Sequence, residues 1–593
     1  MPPRQEYETR LNGRRERHAA LQRQFVVLGN WRLVLGIVEA ILAWLAFGTH
    51  TISGWLLLVP LIAFIFLVIW HAQITRRRTF AERAIRHYER AIARLEDRWR
   101  GTGNPGDRFH DPAHPYAEDL DLFGKGSLFE LVANARTRAG EDRLAAWLLY
   151  PAPAVEATAR QQAIQELSSR LDLREDLALL GEEVSASLDV EATRVWGTAP
   201  PVPFHPATRP AALFLAVIGV AGVIAFFAQA LPLWPVLLIL AVDFALIFTL
   251  RKKVDQVSSL VDTPAQSLRL VSLLLARLER ESFQSARLTQ IARTLRLAGI
   301  PASRRIARLS QWMDWFDSSD HILVRIIRPL LLWREQIAMG IESWRRHNGA
   351  IAVEWMQCVA EFEALSSFAS LCFERPQWSF PTLLAAGPEF RAHGLQHPLL
   401  SPNACVPNDI AFDDGLRLLI VSGSNMSGKS TLLRSIGLNT VLAWAGAPVA
   451  ALELEVSTLQ VTTSMRVVDS LQDNRSRFYA EITRIRQILD LTRTAPPVLF
   501  LLDELLSGTN SHDRLLGAVG IVRNLLESGA IGLITTHDLA LADLERDLPG
   551  RARNVHFEDR LVNGRIEFDY KLKSGIVTHS NAIELMRAVG LNV

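Results

Sequence analysis

Apolar positions follow three different rhythms along this chain. Four segments are apolar almost without interruption: WRLVLGIVEAILAWLAFG (31–48), GWLLLVPLIAFIFLVIW (54–70), AALFLAVIGVAGVIAFFAQA (211–230) and LPLWPVLLILAVDFALIFTL (231–250). Each is 17 to 20 residues long, about the length at which a helix crosses a hydrocarbon layer roughly 30 Å thick. A second rhythm, apolar residues at three- and four-residue spacing, runs through 267–297 and from Ser310 to Cys372 and predicts amphipathic helices. The third is a set of short continuous apolar runs, LRLLIVS (416–422), VLFLLDE (498–504) and AIGLITTH (530–537). Such runs read as parallel strands buried on both faces. Between the first two lies a helical stretch, STLLRSIGLNTVLAW (430–444). The segments rich in proline and polar residues at 101–116 and 197–210 read as linkers.

Charge placement sharpens the first rhythm. Arg4, Arg10, Arg14, Arg15, Arg17 and Arg23 precede the first apolar segment, Arg76, Arg77 and Arg78 follow the second, and Arg251, Lys252 and Lys253 follow the fourth. The connections THTIS and AQALP carry neither Lys nor Arg. Two membrane hairpins follow, with the tips on the far side and every large region on the cytoplasmic side of a membrane. No cleavable leader is evident, because mostly polar residues come first. Glu39 and Asp243 fall inside apolar segments, where ionisable groups are costly; inter-helix hydrogen bonds are the expectation for both. Arg83, Arg86, Arg90 and Arg94 recur at helical spacing and suit lipid phosphates better than nucleic acid. The overall charge of +2 marks no broadly basic surface. Cys358, Cys372 and Cys405 show no metal-ligand spacing and imply neither zinc nor a disulfide framework.

The chemistry lies near the C-terminus. Gly423-Ser424-Asn425-Met426-Ser427-Gly428-Lys429-Ser430-Thr431 fits GxxxxGK[ST], between a strand-like run and a helix-like one. A turn there aims backbone N–H groups at a polyphosphate, so a nucleoside triphosphate is the implied ligand. Phosphoryl transfer assigns Lys429 to the β- and γ-phosphates and Ser430 with Asp503 to Mg²⁺. Glu504 is placed to polarise the attacking water, and His537, after Thr535 and Thr536, to sense the γ-phosphate.

SGSNMSGKST resembles the nucleotide loop of the MutS mismatch-repair family, whose members carry an Asn-Met pair inside it. VPNDI (406–410), QHPLL (396–400, with Gln396 where an arginine is usual), DELLSGTNSHDR (503–514) and NVHFED (554–559) resemble further elements of that domain. DNRSRFYAEITRIRQIL resembles the family's signature helix start, with Ser476 matching the serine that reaches the partner's γ-phosphate and Arg477 replacing a threonine. Gly508, Thr509 and Asp513 fall in the loop that contacts the partner. Upstream, residues 120–167 resemble the start of the MutS core, with Thr137, Gly140, Arg143, Leu144, Trp147, Leu148 and Pro151 at family-like places. Phe80-Ala81-Glu82 spells the family's mismatch wedge, but in a charged helix-like stretch with no room for the domain around it.

The resemblance and the four apolar segments together imply an α and α/β chain: a helical MutS-like core and lever region with four transmembrane helices, then an ABC-type P-loop ATPase domain. The expected order is a basic segment (1–30), a first hairpin (31–71), a juxtamembrane helix and linker (72–118), a first core segment (119–209), a second hairpin (210–250), the remaining core with the levers (251–390) and the ATPase domain (391–593). The resemblance implies ATP and Mg²⁺ as cofactors, a homodimer and DNA as a candidate ligand, and the apolar segments imply membrane lipid as a partner. A fused ABC-type transporter and an ATP-regulated membrane scaffold without DNA are the alternatives. Against transport stand the missing LSGGQ signature and the 74 positions between Lys429 and Asp503, short for a transporter.

Overall fold

The computed structural model describes residues 2–184, 190–296, 299–318, 322–413, 415–424, 427–465, 477–494, 496–506, 510–562 and 565–577. The chain forms two compact units, Met1–Pro105 and Gly106–Val593.

The first unit is an antiparallel pair of long helices, α1 (Pro3–Ala43) and α2 (Leu58–Leu95), joined by a π-helical turn at Trp44–Gly48 and a 3-10 turn at Gly54–Leu57. Arg15 pairs with Glu89 at 2.7 Å, Arg78 donates to Gln22 at 3.0 Å, and Arg32 meets His71 at 3.1 Å, which fixes the register. In the polar half Leu21, Leu28, Ile74 and Ala81 close a seam; in the other half Trp55, Val59, Ile62 and Phe66 stand exposed. The basic segment expected at 1–30 is thus the opening stretch of the helix that becomes the first apolar segment. Phe80-Ala81-Glu82 lies within α2, with Ala81 buried in the seam.

The second unit begins with a helical layer: α3 (Leu128–Val132), α4 (Arg138–Leu149), α5 (Ala154–Ser168), α6 (Leu171–Val184), α7 (Val190–Thr198), α8 (Thr208–Phe227), α9 (Trp234–Leu278), α10 (Ala286–Leu295), α11 (Ala302–Ser318), α12 (Ile322–Leu331) and α13 (Trp333–Glu374). Among the described residues four helices are long and apolar enough to cross a membrane, by length and composition: Pro3–Gly48, Gly54–Leu95, Thr208–Phe227 and Trp234–Val261. α9 passes residue 250, the expected end of the second hairpin, without a break, because its apolar seam of Leu250, Val254, Val257 and Val261 carries straight into the core. α12, read from sequence as belonging to the core levers, instead packs on α8 and α9, with Leu330 lying where a Cβ on Gly219 would sit.

The inter-helix hydrogen bonds expected of Glu39 and Asp243 are not formed among the described residues. Both oxygens of buried Asp243, and Oε2 of Glu39, have no partner among the described residues.

The α/β region holds two sheets. β1 (Thr382–Leu384), β2 (Phe390–Leu395), β3 (Asn408–Phe412) and β5 (Glu453–Ser457) form a mixed sheet in the order β1-β5-β2-β3. β4 (Leu418–Ser422), β6 (Gln460–Ser464), β7 (Val498–Leu502), β8 (Ile531–Thr536), β9 (Ala552–Val562) and β10 (Arg565–Ser574) form the larger one, in the order β10-β9-β4-β8-β7-β6. Among the described residues only β10 pairs antiparallel within the larger sheet. Every residue of β4, β7 and β8 is buried, as strands covered on both faces require. α15 (Arg477–Leu491) and α16 (Ser511–Glu527) cover one face through Ile485, Ile488, Val522 and Leu525. α14 (Lys429–Ala445) follows β4, and α17 (Leu544–Asp547) precedes β9.

Neither proline-rich segment is a free linker. Thr463 donates its N–H to Pro115 O at 3.0 Å, and Arg484 donates to His114 O at 2.7 Å. Arg345 donates to Trp196 O, Ala199 O and Pro200 O at 2.6–3.0 Å. Extended, proline-rich backbone leaves carbonyls without ladder partners, and buried guanidinium groups satisfy them.

Candidate functional site

The phosphate loop leaves β4 at Ser422 and enters α14 through Gly428, whose φ of +106° puts it in the left-handed region that a side chain resists. Parallel pairing sets Val421 level with Thr535, and Leu502 level with Ile534, so the ends of β4, β7 and β8 converge. That is where parallel sheets place ligands.

Lys429 Nζ, largely buried, donates to Gly423 O and Ser424 O, both at 2.8 Å. Burial pushes its pKa below the ordinary lysine range, and the carboxylates of Glu504 and Asp503 oppose that shift. Ser430 Oγ donates to Asp503 Oδ2 at 2.6 Å, while Thr535 Oγ1 donates to Asp503 Oδ1. Thr535 Oγ1 also accepts the Glu504 N–H at 3.0 Å. Glu504 has φ +49° and Leu506 φ +58°, conformations that cost a non-glycine residue roughly 1–3 kcal/mol and concentrate at functional sites. Their backbone is held there by Thr535 and by buried Glu481, whose Oε1 accepts the Leu506 N–H at 2.6 Å.

His537 Nε2 lies 2.7 Å from Glu504 Oε1 and 3.4 Å from Lys429 Nζ. An ammonium only donates, so the shorter contact decides: Nε2–H donates to the carboxylate, and Lys429 is a neighbour rather than a partner. His537 therefore holds Glu504 in place, a role beyond the phosphate sensing expected from sequence.

Ser424, Gly428, Lys429, Ser430, Thr431 and Glu504 line a cleft of about 390 Å³, within the size range of small-molecule sites. The Oγ atoms of Ser424 and Ser427 are buried with no partner among the described residues, donors waiting for an acceptor. These residues fit a triphosphate, and the Ser430–Asp503 pair, a hydroxyl in the first turn of α14 and a carboxylate just after β7, fits a hard divalent cation. Asn425, Met426 and Ser476 lie outside the described residues, as do Gly508 and Thr509. Asp513 sits in the first turn of α16, where Asn510 Oδ1 accepts its N–H at 2.9 Å.

The far wall was not anticipated as belonging to the site. Phe557, Tyr570, Val406 and Asn408 line the same cleft, and Tyr570 packs 3.3 Å from where a Cβ on Gly428 would lie. Asn408 fixes this wall: its Nδ2 donates to Tyr570 O at 3.0 Å and its Oδ1 accepts the Leu572 N–H at 2.8 Å. An irregularity in the β9–β10 pairing between Phe568 and Leu572 presents Tyr570, whose φ is +50°. The Phe557 position was legible through NVHFED; nothing in local pattern marks Tyr570.

A parallel sheet with a glycine turn, a buried lysine, a Ser–Asp pair and a Glu–His pair at its carboxyl edge defines the class of P-loop phosphate-binding domains. Within that class, residues 419–592 match the family described as MutS domain V. It is 34% identical over 256 residues to the DNA mismatch repair protein MutS 2 of Halobacterium salinarum, covering 42% of this chain and 29% of that protein. It is 31% identical over 241 residues to the DNA mismatch repair protein MutS of Geobacillus kaustophilus, covering 40% and 26%. It is 32% identical over 212 residues to the Endonuclease MutS2 of Thermomicrobium roseum, covering 34% and 25%. The matched stretch thus spans less than a third of the length of each of these relatives.

Proposed function

We propose that this protein is a membrane-anchored, MutS-like ATPase that hydrolyses ATP in a site completed by a second copy, and couples the cycle to its helical region. The observation that carries the reading is the convergence of Lys429, the Ser430–Asp503 pair and the Glu504–His537 pair at one cleft, which is also lined by Ser424, whose hydroxyl has no partner among the described residues. Lys429 exchanges the two loop carbonyls for phosphate oxygens. Ser430 and Asp503 hold Mg²⁺, which supplies neutralising charge to the phosphates. Glu504, fixed by His537 and by its own strained backbone, orients and deprotonates the attacking water. Ser476 of each copy completes the other's site, as its match to the family's signature serine implies.

Two further aspects of the reading have separate support. The four long apolar helices, with arginine and lysine beside their polar ends and none in the tips, favour a multi-pass anchor that leaves the ATPase on the cytoplasmic side. The names of the mismatch-repair relatives favour DNA, mismatched or branched, as the ligand of the helical region.

Calorimetry with ATP and Mg²⁺ on the full chain in detergent tests the core of the proposal. Binding is expected for the native protein and none for Lys429→Ala. Glu504→Gln should bind ATP yet lose turnover by about 10²–10⁴-fold, the range of a positioned general base. Normal turnover by Glu504→Gln removes the assigned base, and absence of ATP binding by the native chain removes the function. Mixing inactive Lys429→Ala and Ser476→Arg chains should restore activity at one composite site; no recovery argues against the shared site. Binding to mispaired, branched and perfect duplexes over a salt series decides whether DNA is the ligand.

A further inference from the structure

The second membrane hairpin carries a groove of about 620 Å³. One wall is a single face of α8, formed by Leu213, Val217, Val220 and Ile224 at spacings of four, three and four. At 1.5 Å per residue that face runs about 16 Å along the helix. The other wall comes from Trp312 and Trp315 of α11, Leu331 of α12, and Trp333 and Ile337 of α13. Trp315 and Trp333 pack with ring centroids 6.2 Å apart, and Trp333 Nε1 donates to Trp315 O at 3.0 Å.

Only two lining residues are strongly polar. The Gln336 amide is already donated to Leu331 O at 2.8 Å. Arg209, at the first turn of α8, is exposed and forms no hydrogen bond or ion pair among the described residues. The groove is therefore an apolar channel with one uncommitted cation at its polar end, and tryptophans of the kind found at bilayer interfaces along its side. The outward side chains flanking it, such as Phe214 and Phe227, are exposed on a helix apolar enough to span a bilayer, so hydrocarbon is the medium that meets the opening.

We infer that this groove binds one anionic phospholipid, an acyl chain lying along α8 and the phosphate against Arg209. Both halves of the ligand are specified: the wall excludes polar groups for the length of the chain, and the single free guanidinium selects negative charge in the headgroup. The inference rests on the proposed membrane placement of α8. Because Trp333 is also the first residue of α13, the 42-residue helix whose far end packs on α4 beside the α/β domain, the bound lipid braces the base of the lever.

The test uses the full chain reconstituted in vesicles of mixed phosphatidylglycerol and phosphatidylcholine, extracted gently and weighed by native mass spectrometry. The native chain should keep one more phospholipid than Ala221→Trp, in which the new ring fills the groove, and that lipid should be phosphatidylglycerol by about fivefold. Arg209→Gln should keep a lipid and lose the preference. Retained ATP binding by both variants reports that they fold; should Ala221→Trp fail this check, the headgroup preference of native against Arg209→Gln decides alone. Equal lipid counts in native and folded Ala221→Trp chains, equal preference in native and Arg209→Gln chains, or a disulfide between two Val217→Cys copies showing a second chain in the groove, overturns the inference. Alkaline extraction of the vesicles separates the two readings: release of the chain sinks the membrane placement and the lipid site together, whereas a chain that stays embedded without the extra lipid sinks the site alone.

Discussion

Tyr570 and Glu363 act through surroundings that their neighbours in sequence do not reveal. Tyr570 sits opposite the phosphate loop in the cleft, so a base stacked there gains the contact an aromatic ring gives any purine. Tyr570→Ala should weaken ATP binding by about 1–3 kcal/mol while Tyr570→Phe leaves it nearly unchanged; calorimetric Kd values that do not move with the alanine variant take Tyr570 out of the base site. Glu363, wholly buried on α13, accepts the N–H groups of Arg136 and Thr137 at 3.1 and 3.3 Å and the Thr137 hydroxyl. Burial outweighs these donors and lifts its carboxyl to about 7. A folded pKa above the unfolded one of 4.5 means the stabilisation is complete at low pH and is lost as pH rises through about 7. Glu363→Gln should flatten that loss, worth about 3 kcal/mol at most, in denaturation curves collected from pH 5 to 8; parallel native and variant curves would show that the group titrates elsewhere.

Among the elements, α7 and α13 cross where two glycines meet. A Cβ on Gly349 would lie 2.6 Å from Gly197 O, and one on Gly197 would lie 2.4 Å from Gly349 O, both backbone atoms that cannot turn aside. Gly349→Ala is therefore expected to destabilise the helical layer by about 1–3 kcal/mol through overpacking, measured as a lowered urea midpoint; an unchanged midpoint would mean the crossing relaxes freely. The same crossing orders the 197–210 segment, since Arg345, paired with Glu342 at 2.8 Å, sits beneath it and caps its carbonyls. A pattern rich in proline looked like a connector because proline disfavours regular elements, and the arginine that holds it lies some 145 positions away. Likewise the strand ends were legible as apolar runs, whereas the short helix α12 was not, since ten apolar and basic residues fit a core lever as well as a helix lying against a hairpin.

At the scale of the whole molecule, α9 carries the second hairpin into the helical layer as one 45-residue helix with Pro264 in its interior, and α13 runs from that region to α4 and α5. The membrane reading places Ser53 and Gln229 at the tips beyond the bilayer. Single cysteines there, on a background lacking Cys358, Cys372 and Cys405, should react with an impermeant thiol reagent only from outside intact cells, whereas a cysteine at exposed Arg251 should react only after lysis. Labelling of the tips only after lysis would reject the orientation.

Local pattern alone determined the glycine turn, the lysine that follows it, the carboxylates after β7, the histidine after β8 and the four apolar helices, because each depends on residues adjacent in the chain. The tertiary structure alone decided what those features face: that Glu504 is clamped by His537 and Thr535, that Tyr570 closes the cleft from β10, that the proline-rich segments are pinned by distant arginines, and that α12 turns an apolar helix into one wall of a groove. Those relations are contacts between residues tens to hundreds of positions apart, set by strand register and helix crossing, which no window of sequence contains.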